Sequence, residues 1–348
     1  IFAHFYKDVY SLWKVFTLDG KYLYNIDSPG LGIINGFTGD HSAKKTYYTF
    51  NNLITPTTIY EYDIASNISR IYKKSKSSFN PENYVMKQEF FKSKDGTLIP
   101  MFICHKKGLQ MDGKRPTLLY GYGGFNISIE PYFNKSNSIL YDNNGVYVIA
   151  NIRGGGEYGE KWHKSGILEK KQNVFDDFIY AAKYLISKKI TSPNYLGIQG
   201  QSNGGLLIGA VINQNPELFR VAYPEVGVMD MLRYEKFTIG YAWNVEYGSV
   251  EDEKSFKNII KYSPLHNVDS NATYPSILIY TADHDDRVVP AHSFKYAATI
   301  QNLKKNKNPS LIRIGINNGH GFGKPTKTII NEHAEKWAYF FYEMGLKY

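Results

Sequence analysis

The chain of 348 residues is 43% hydrophobic and 21% charged, which excludes a disordered or fibrous polypeptide and allows about two domains, one of them a large α/β unit. Its net charge of +9 is carried by Lys and Arg scattered along the chain, and the runs IYKKSKSS and NLKKNKN are short, so the excess reads as a solvated face rather than a nucleic-acid surface. A single cysteine, Cys104, excludes an intrachain disulfide and ties the protein to no oxidising compartment, so the sequons at Asn67, Asn126, Asn134 and Asn271 read as chance matches.

The first residues, IFAHFYKDVYSLWKVF, interrupt their apolar positions with charges, and no apolar run reaches the ~18 residues of a membrane span. Neither a signal peptide nor a membrane helix is expected, and with Ile at position 1 a processed or partial chain is the expectation. From residue 1 to about 75, stretches such as KYLYNI, TYYTFNN and TTIYEYDI alternate apolar and polar positions between Gly, Pro, Asn and Asp turns, which predicts antiparallel β-structure. NYVMKQEFFKSKDGTLIPMFICHKKG predicts a hairpin leading into the second unit. From about residue 115 the rhythm changes. PTLLYGY, GVYVIANI, YLGIQG, RVAYPEVG, SILIYTA and SLIRIGI are short buried strands of the parallel-sheet kind. Between them Val174, Phe178, Ala181, Ala182 and Leu185 share one helical face, with Asp176 and Asp177 near its start and Lys188 and Lys189 at its end. The alternation predicts a doubly wound α/β sheet, closed by the amphipathic helix TIINEHAEKWAYFFYEMGL.

Gly200-Gln201-Ser202-Asn203-Gly204 fits the G-x-S-x-G nucleophile elbow between a strand and a helix, where the glycines permit a sharp turn and the helix start offers N–H groups to developing negative charge. A serine hydroxyl needs a base, and the base needs a carboxylate to orient it, in the chain order Ser, Asp or Glu, His. His266, His284, His292 and His320 follow the elbow. His320 lies in the Gly-rich loop NNGHGFGKP directly after a strand, whereas His266 and His292 read as structural. For the acid, Asp283, Asp285 and Asp286 all follow the strand SILIYTA at the ligand-binding edge, and spacing leaves the three open. No second group of ligands accompanies His284, so no metal site is expected. Gly154, Gly156 and Gly159 have G-x-G-x-x-G spacing, but EKWHKSGILEKKQN lacks the helical period that a dinucleotide site requires.

LLYGYGGFNISI, VIANIRGGGEYGEKWHKSG, QSNGGLL, VGVMDMLRYEKFTIGYAW, TADHDDRVVPAHS and NNGHGFGKP together resemble the prolyl oligopeptidase family, in order, over nearly all of residues 84–348. INGFTG and YYTFNNLITPTTIYEYD resemble the end of that family's β-propeller. The resemblance implies an α/β-hydrolase domain over 76–348, preceded by a partial propeller, a terminal blade, over 1–75. It assigns the nucleophile to Ser202, the acid to Asp285 and the base to His320, with the Tyr122 hydroxyl and the Asn203 N–H as oxyanion donors. It implies a proline pocket in which Trp243 is joined by Phe125, Val228, Ile239, Tyr247 and Val288, and Arg287 as the donor to a substrate carbonyl. Arg153 and Glu157 are expected to form an ion pair.

Three departures stand out. Gln201 replaces the usual glycine and threatens to crowd the elbow, Phe322 replaces a small residue after His-Gly, and about 75 residues cannot close a seven-bladed propeller. The family's N-terminal segment packed on the hydrolase domain is not seen either, so loss of the size filter and exposure of blade surface are expected. The implied function is a cytoplasmic, monomeric, cofactor-free serine endopeptidase that cuts short peptides after proline, with neither nucleic-acid nor membrane partners. The alternatives are an inactive or interaction-only product and a related oligopeptidase with another preference before the scissile bond.

Overall fold

The computed structural model describes residues 1–321 and 323–347. Residues 1–75 form seven strands: β1 (Phe2–Lys7), β2 (Tyr10–Phe16), β3 (Tyr22–Asn25), β4 (Ile33–Thr38), β5 (Lys45–Asn51), β6 (Thr58–Asp63) and β7 (Ile68–Lys74). They make two antiparallel sheets, β1-β2-β3 and β4-β5-β6-β7. The second has the four strands of a propeller blade. The sequence reading had a single blade, and the first sheet is an additional three-stranded piece. In β2, alternate residues Ser11, Trp13 and Val15 are buried. Trp13 and Val15 join Ile26, Ile34, Tyr48, Phe50 and Tyr62 in one cluster across both sheets.

The remaining strands are β8 (Tyr84–Lys92), β9 (Leu98–Lys106), β10 (Thr117–Tyr120), β11 (Val146–Ala150), β12 (Leu196–Gln201), β13 (Val221–Glu225), β14 (Ser276–Ala282) and β15 (Ser310–Gly315). The helices are α1 (Ser138–Asp142), α2 (Glu160–Lys164), α3 (Gln172–Ser187), α4 (Asn203–Gln214), α5 (Asn244–Tyr247), α6 (Glu253–Ile259), α7 (Ala291–Gln301) and α8 (Thr326–Glu343). The eight strands form one sheet in the order β15-β14-β13-β12-β10-β11-β9-β8. The hairpin β8–β9 pairs antiparallel with β11, and every other neighbouring pair is parallel. This is the α/β-hydrolase sheet. Five parallel pairings place the loops after β10, β12, β14 and β15 on one edge, where ligands bind in such sheets.

Both faces of the sheet are covered, which explains its near-continuous apolar strands. On one face Val174, Phe178, Ala181, Ala182 and Leu185 of α3 and Leu206, Leu207 and Ile208 of α4 pack on Leu119, Val148 and Ile198. On the other, Trp337, Phe340 and Phe341 of α8 pack on Leu118, Val221, Tyr223 and Leu278. The stretch after Gly159 yields only the five-residue α2 and a short 3-10 turn, Leu168–Lys170. Among the described residues no helix is long and apolar enough to cross a membrane.

The expected Arg153–Glu157 ion pair is absent. Arg153 instead binds buried Asp177 at 2.6 Å and Asp95 at 2.6 Å. Asp177 is therefore no solvated helix-start residue. Glu157 accepts from the Ile129 N–H at 3.0 Å, and burial pushes its carboxyl up to about 7. Sequence proximity suggested the pair, but the α3 carboxylate reaches the guanidinium and Glu157 turns into the neighbouring loop.

Candidate active site

Ser202 sits between the end of β12 and the start of α4 with φ 59° and ψ −117°. A non-glycine residue rarely adopts that conformation, and the strain survives because both flanks are fixed. Its N–H donates to the Glu225 carbonyl at 2.8 Å, and its own carbonyl accepts from Leu206 at 3.1 Å. The flanking glycines are required by contact. A Cβ on Gly200 would lie 2.3 Å from the Gly204 carbonyl oxygen, and one on Gly204 would lie 2.8 Å from that of Gly121. Gln201 does not crowd this turn. It is exposed, and its carboxamide donates toward the His320 carbonyl at 3.5 Å.

His320, in the loop after β15, meets Asp285 in the loop after β14, with Nδ1 to Oδ2 at 2.7 Å. Asp285 is 2% exposed, and its other oxygen accepts the N–H groups of Arg287 at 3.1 Å and Val288 at 2.9 Å. A carboxylate only accepts, so the imidazole proton sits on Nδ1 and Nε2 is left with a free lone pair. Of the three aspartates, the fold brings this one to His320. Asp283 is paired with His284 at 2.8 Å, and Asp286 is exposed. His292 is buried on α7 and accepts from the Asp230 N–H at 3.0 Å, while His266 contacts Ser263 at 2.7 Å. Phe322 lies outside the described residues.

Two cavities meet at Ser202. One, of about 250 Å³, is lined by Ser202, His320, Gln201, Tyr120, Tyr122, Arg287 and Gly321. The other, of about 140 Å³, is lined by Ser202, Tyr122, Phe125, Ile127, Val228, Trp243, Tyr247 and Arg287. Phe125 stands edge-on to Trp243, with ring centroids 6.4 Å apart, and to Tyr247 at 5.7 Å. Trp243 is held from behind by Tyr234, whose ring is parallel to it at 6.3 Å. Ile239 does not join this lining and is 47% exposed. Val288 does not join it either; it is buried in the main core. Ile127 does join it, although no local pattern singled it out.

Burial, with the charge of Glu246 next, pushes the Tyr122 hydroxyl up to about 12, against the opposing effects of Arg287 and a hydrogen bond with Ser202. It is a neutral donor at ordinary pH. The Asn203 N–H is the first of α4 and has no partner within the helix. Its side chain is buried, donating to the Tyr122 carbonyl at 2.7 Å and accepting from Tyr247 at 3.0 Å and Lys171 at 3.2 Å. Lys171, Glu246 and His163 were not legible as site residues. Nothing local in EKKQN shows that Lys171 is 1% exposed.

A strand-turn-helix nucleophile geometry, a His–Asp pair on the same edge and an aromatic cavity together suit acyl transfer to serine. The prolyl oligopeptidase family model matches residues 131–347, and the N-terminal β-propeller model of the same family matches residues 1–75. A prolyl endopeptidase of Elizabethkingia miricola is 51% identical over 347 residues, covering 99% of this chain and 49% of that protein. One of Dictyostelium discoideum is 43% identical, with 99% and 46% covered. Among solved structures, one from a study of two prolyl endopeptidases superposes with TM-score 0.95 at 42% identity, covering 99% of this chain and 51% of the other. A post-proline cleaving enzyme from Rickettsia typhi gives 0.91 at 37%, with 100% and 50% covered. The chain spans about half the length of the curated relatives it matches.

Proposed function

The chain belongs to the prolyl oligopeptidase family, and on that premise we propose that it carries the chemistry of a serine endopeptidase that cleaves short peptides after proline. Residues 1–75 are read as the blade-type unit and 76–348 as the hydrolase unit. The observation that carries the proposal is that Ser202, Tyr122 and Arg287 line both cavities, so an aromatic slot and the His320–Asp285 pair open on one hydroxyl.

In this reading the Ser202 hydroxyl attacks the prolyl carbonyl while His320 Nε2 takes its proton, and Asp285 steadies the resulting imidazolium. The oxyanion accepts hydrogen bonds from the Tyr122 hydroxyl and the Asn203 N–H. His320 returns the proton to the leaving amine, and water then releases the acyl group by the same route. The pyrrolidine ring occupies the slot against Trp243, and Arg287 holds a substrate carbonyl. No carboxylate lines the slot and Arg287 borders it, which disfavours a cationic side chain there. The chemistry calls on the chain's own groups. The single, buried Cys104 fits a cytoplasmic setting, where we place the protein as a monomer.

A fluorophosphonate probe and a fluorogenic panel with Pro, Arg or Ala before the scissile bond test this. Labelling at Ser202, lost in Ser202→Ala, and a preference for Pro are expected. Well-folded protein that escapes labelling, or a preference for Arg, would falsify the reading. The exposed apolar residues of β7, Ile68, Ile71 and Tyr72, favour a second reading as an interaction module without turnover. A cooperative melt with no labelling would select it.

A further inference from the structure

Behind the two proposed oxyanion donors lies a buried charged cluster that the reaction itself does not touch. The Lys171 ammonium has three hydrogens, and each has a partner: the Gly123 carbonyl at 3.0 Å, Asn203 Oδ1 at 3.2 Å and Glu246 Oε1 at 3.1 Å. The other Glu246 oxygen faces His163 Nε2 at 2.9 Å. Lys171 and Glu246 are each 1% exposed.

This arrangement fixes an otherwise ambiguous amide. An ammonium can only donate, and the Tyr247 hydroxyl also donates to the same atom at 3.0 Å, so Asn203 must turn its oxygen toward them. Its nitrogen is thereby aimed at the Tyr122 carbonyl, 2.7 Å away. One side chain thus joins the residue that offers the backbone N–H to the residue that offers the hydroxyl. Lys171 grips the same two segments a second time, through Gly123 next to Tyr122. The space behind is closed, since even a Cβ on Gly124 would lie 2.6 Å from Asn203 Nδ2 and 2.9 Å from Glu246 Oε1.

We propose that Lys171, held by Glu246, is a positioning residue for the oxyanion site, setting the spacing between the Tyr122 hydroxyl and the Asn203 N–H. The proposal rests on the serine peptidase reading above. Because the donors matter most when the oxyanion forms, loss of the clamp falls on the transition state and spares ground-state binding.

The test uses the full chain and two variants. Lys171→Met keeps the stem and removes the donors. Lys171→Met combined with Glu246→Gln also removes the unpaired buried carboxylate, which guards against a single variant that fails to fold. Active sites are counted by fluorophosphonate labelling, so unfolded material does not enter kcat. In each variant kcat per labelled site falls by about 10–100-fold with KM within about twofold. Affinity for a peptide aldehyde, whose hemiacetal presents the oxyanion, falls by the same factor, while affinity for the product peptide is unchanged. Unaltered kcat per labelled site in the folded double variant, or equal weakening of aldehyde and product, overturns the proposal. Absence of turnover by the unsubstituted chain overturns the peptidase reading and this inference with it.

Discussion

Trp243 shows how little a residue reveals by itself. In the sequence it is one of 4 tryptophans, and an isolated tryptophan is as much at home in a core as in a ligand slot. The fold puts it at the end of a short 3-10 turn, Gly240–Trp243, with Tyr234 behind and the slot in front. Trp243→Ala removes the flat wall and leaves the hydroxyl chemistry alone. The expected result is a drop in kcat/KM for prolyl reporters of about 10–200-fold, the range for lost apolar pocket contact, with fluorophosphonate labelling retained. Steady-state kinetics on the Pro and Ala reporters check it, because the Ala substrate should lose much less. Ile239 shows the reverse case. The family resemblance grouped it with Trp243, yet Ile239 is 47% exposed, because the turn that presents the half-buried Trp243 to the slot carries Ile239 outward.

At the scale of elements, the glycine-rich loops after β10 and β11 meet through the Asn126 N–H to Gly154 carbonyl bond at 3.2 Å and the Asn151 amide to Ile129 carbonyl bond at 2.6 Å, and one buried carboxyl adds to these ties. Glu157 ties the Ile129 N–H at 3.0 Å and reaches Asn151 at 3.4 Å, and burial pushes it up to about 7 despite those bonds. The protonated form is favoured in the fold, relative to an ordinary carboxyl near 4.5. Stability from this group is therefore full below about 4.5 and is lost as pH rises through about 7. Glu157→Gln, which keeps an acceptor for Ile129, should gain about 2–3 kcal/mol over the parent at pH 8 and almost nothing at pH 4.5. Urea melts at the two pH values decide it, and equal shifts at both would remove ionisation as the cause. The elements themselves were mostly legible. The strands from β8 to β15 and the helices α3, α4 and α8 follow from short apolar runs and helical periodicity. What escaped was the division of the first 75 residues into two sheets, since alternation marks a strand but not its partner.

For the whole molecule, the seam between the β-segment and the hydrolase unit has an apolar centre with hydrogen bonds at its margin. Val9 and Leu53 share a buried cluster with Tyr84, Phe102, Cys104, Tyr141 and Ile149, and Tyr158 donates to Asp8 at 2.8 Å across the same seam. Val9→Asp places a charge there without a partner. The parent should melt in one transition, and the variant should show the β-segment unfolding first, as a separate calorimetric step. A single unshifted transition would mean that the seam carries no coupling. By itself the sequence determined the order of strands and helices, the Ser202 elbow and the position of His320 after a strand, because these follow from local periodicity and from glycines that only a tight turn explains. Spacing left three aspartates open and only the family resemblance singled out Asp285, the one that reaches His320, while tertiary structure alone decided which carboxylate takes Arg153 and that Lys171 lies buried behind Asn203. Those outcomes depend on loops and helices distant in the chain converging on one sheet edge, and spacing along the sequence carries no record of that distance.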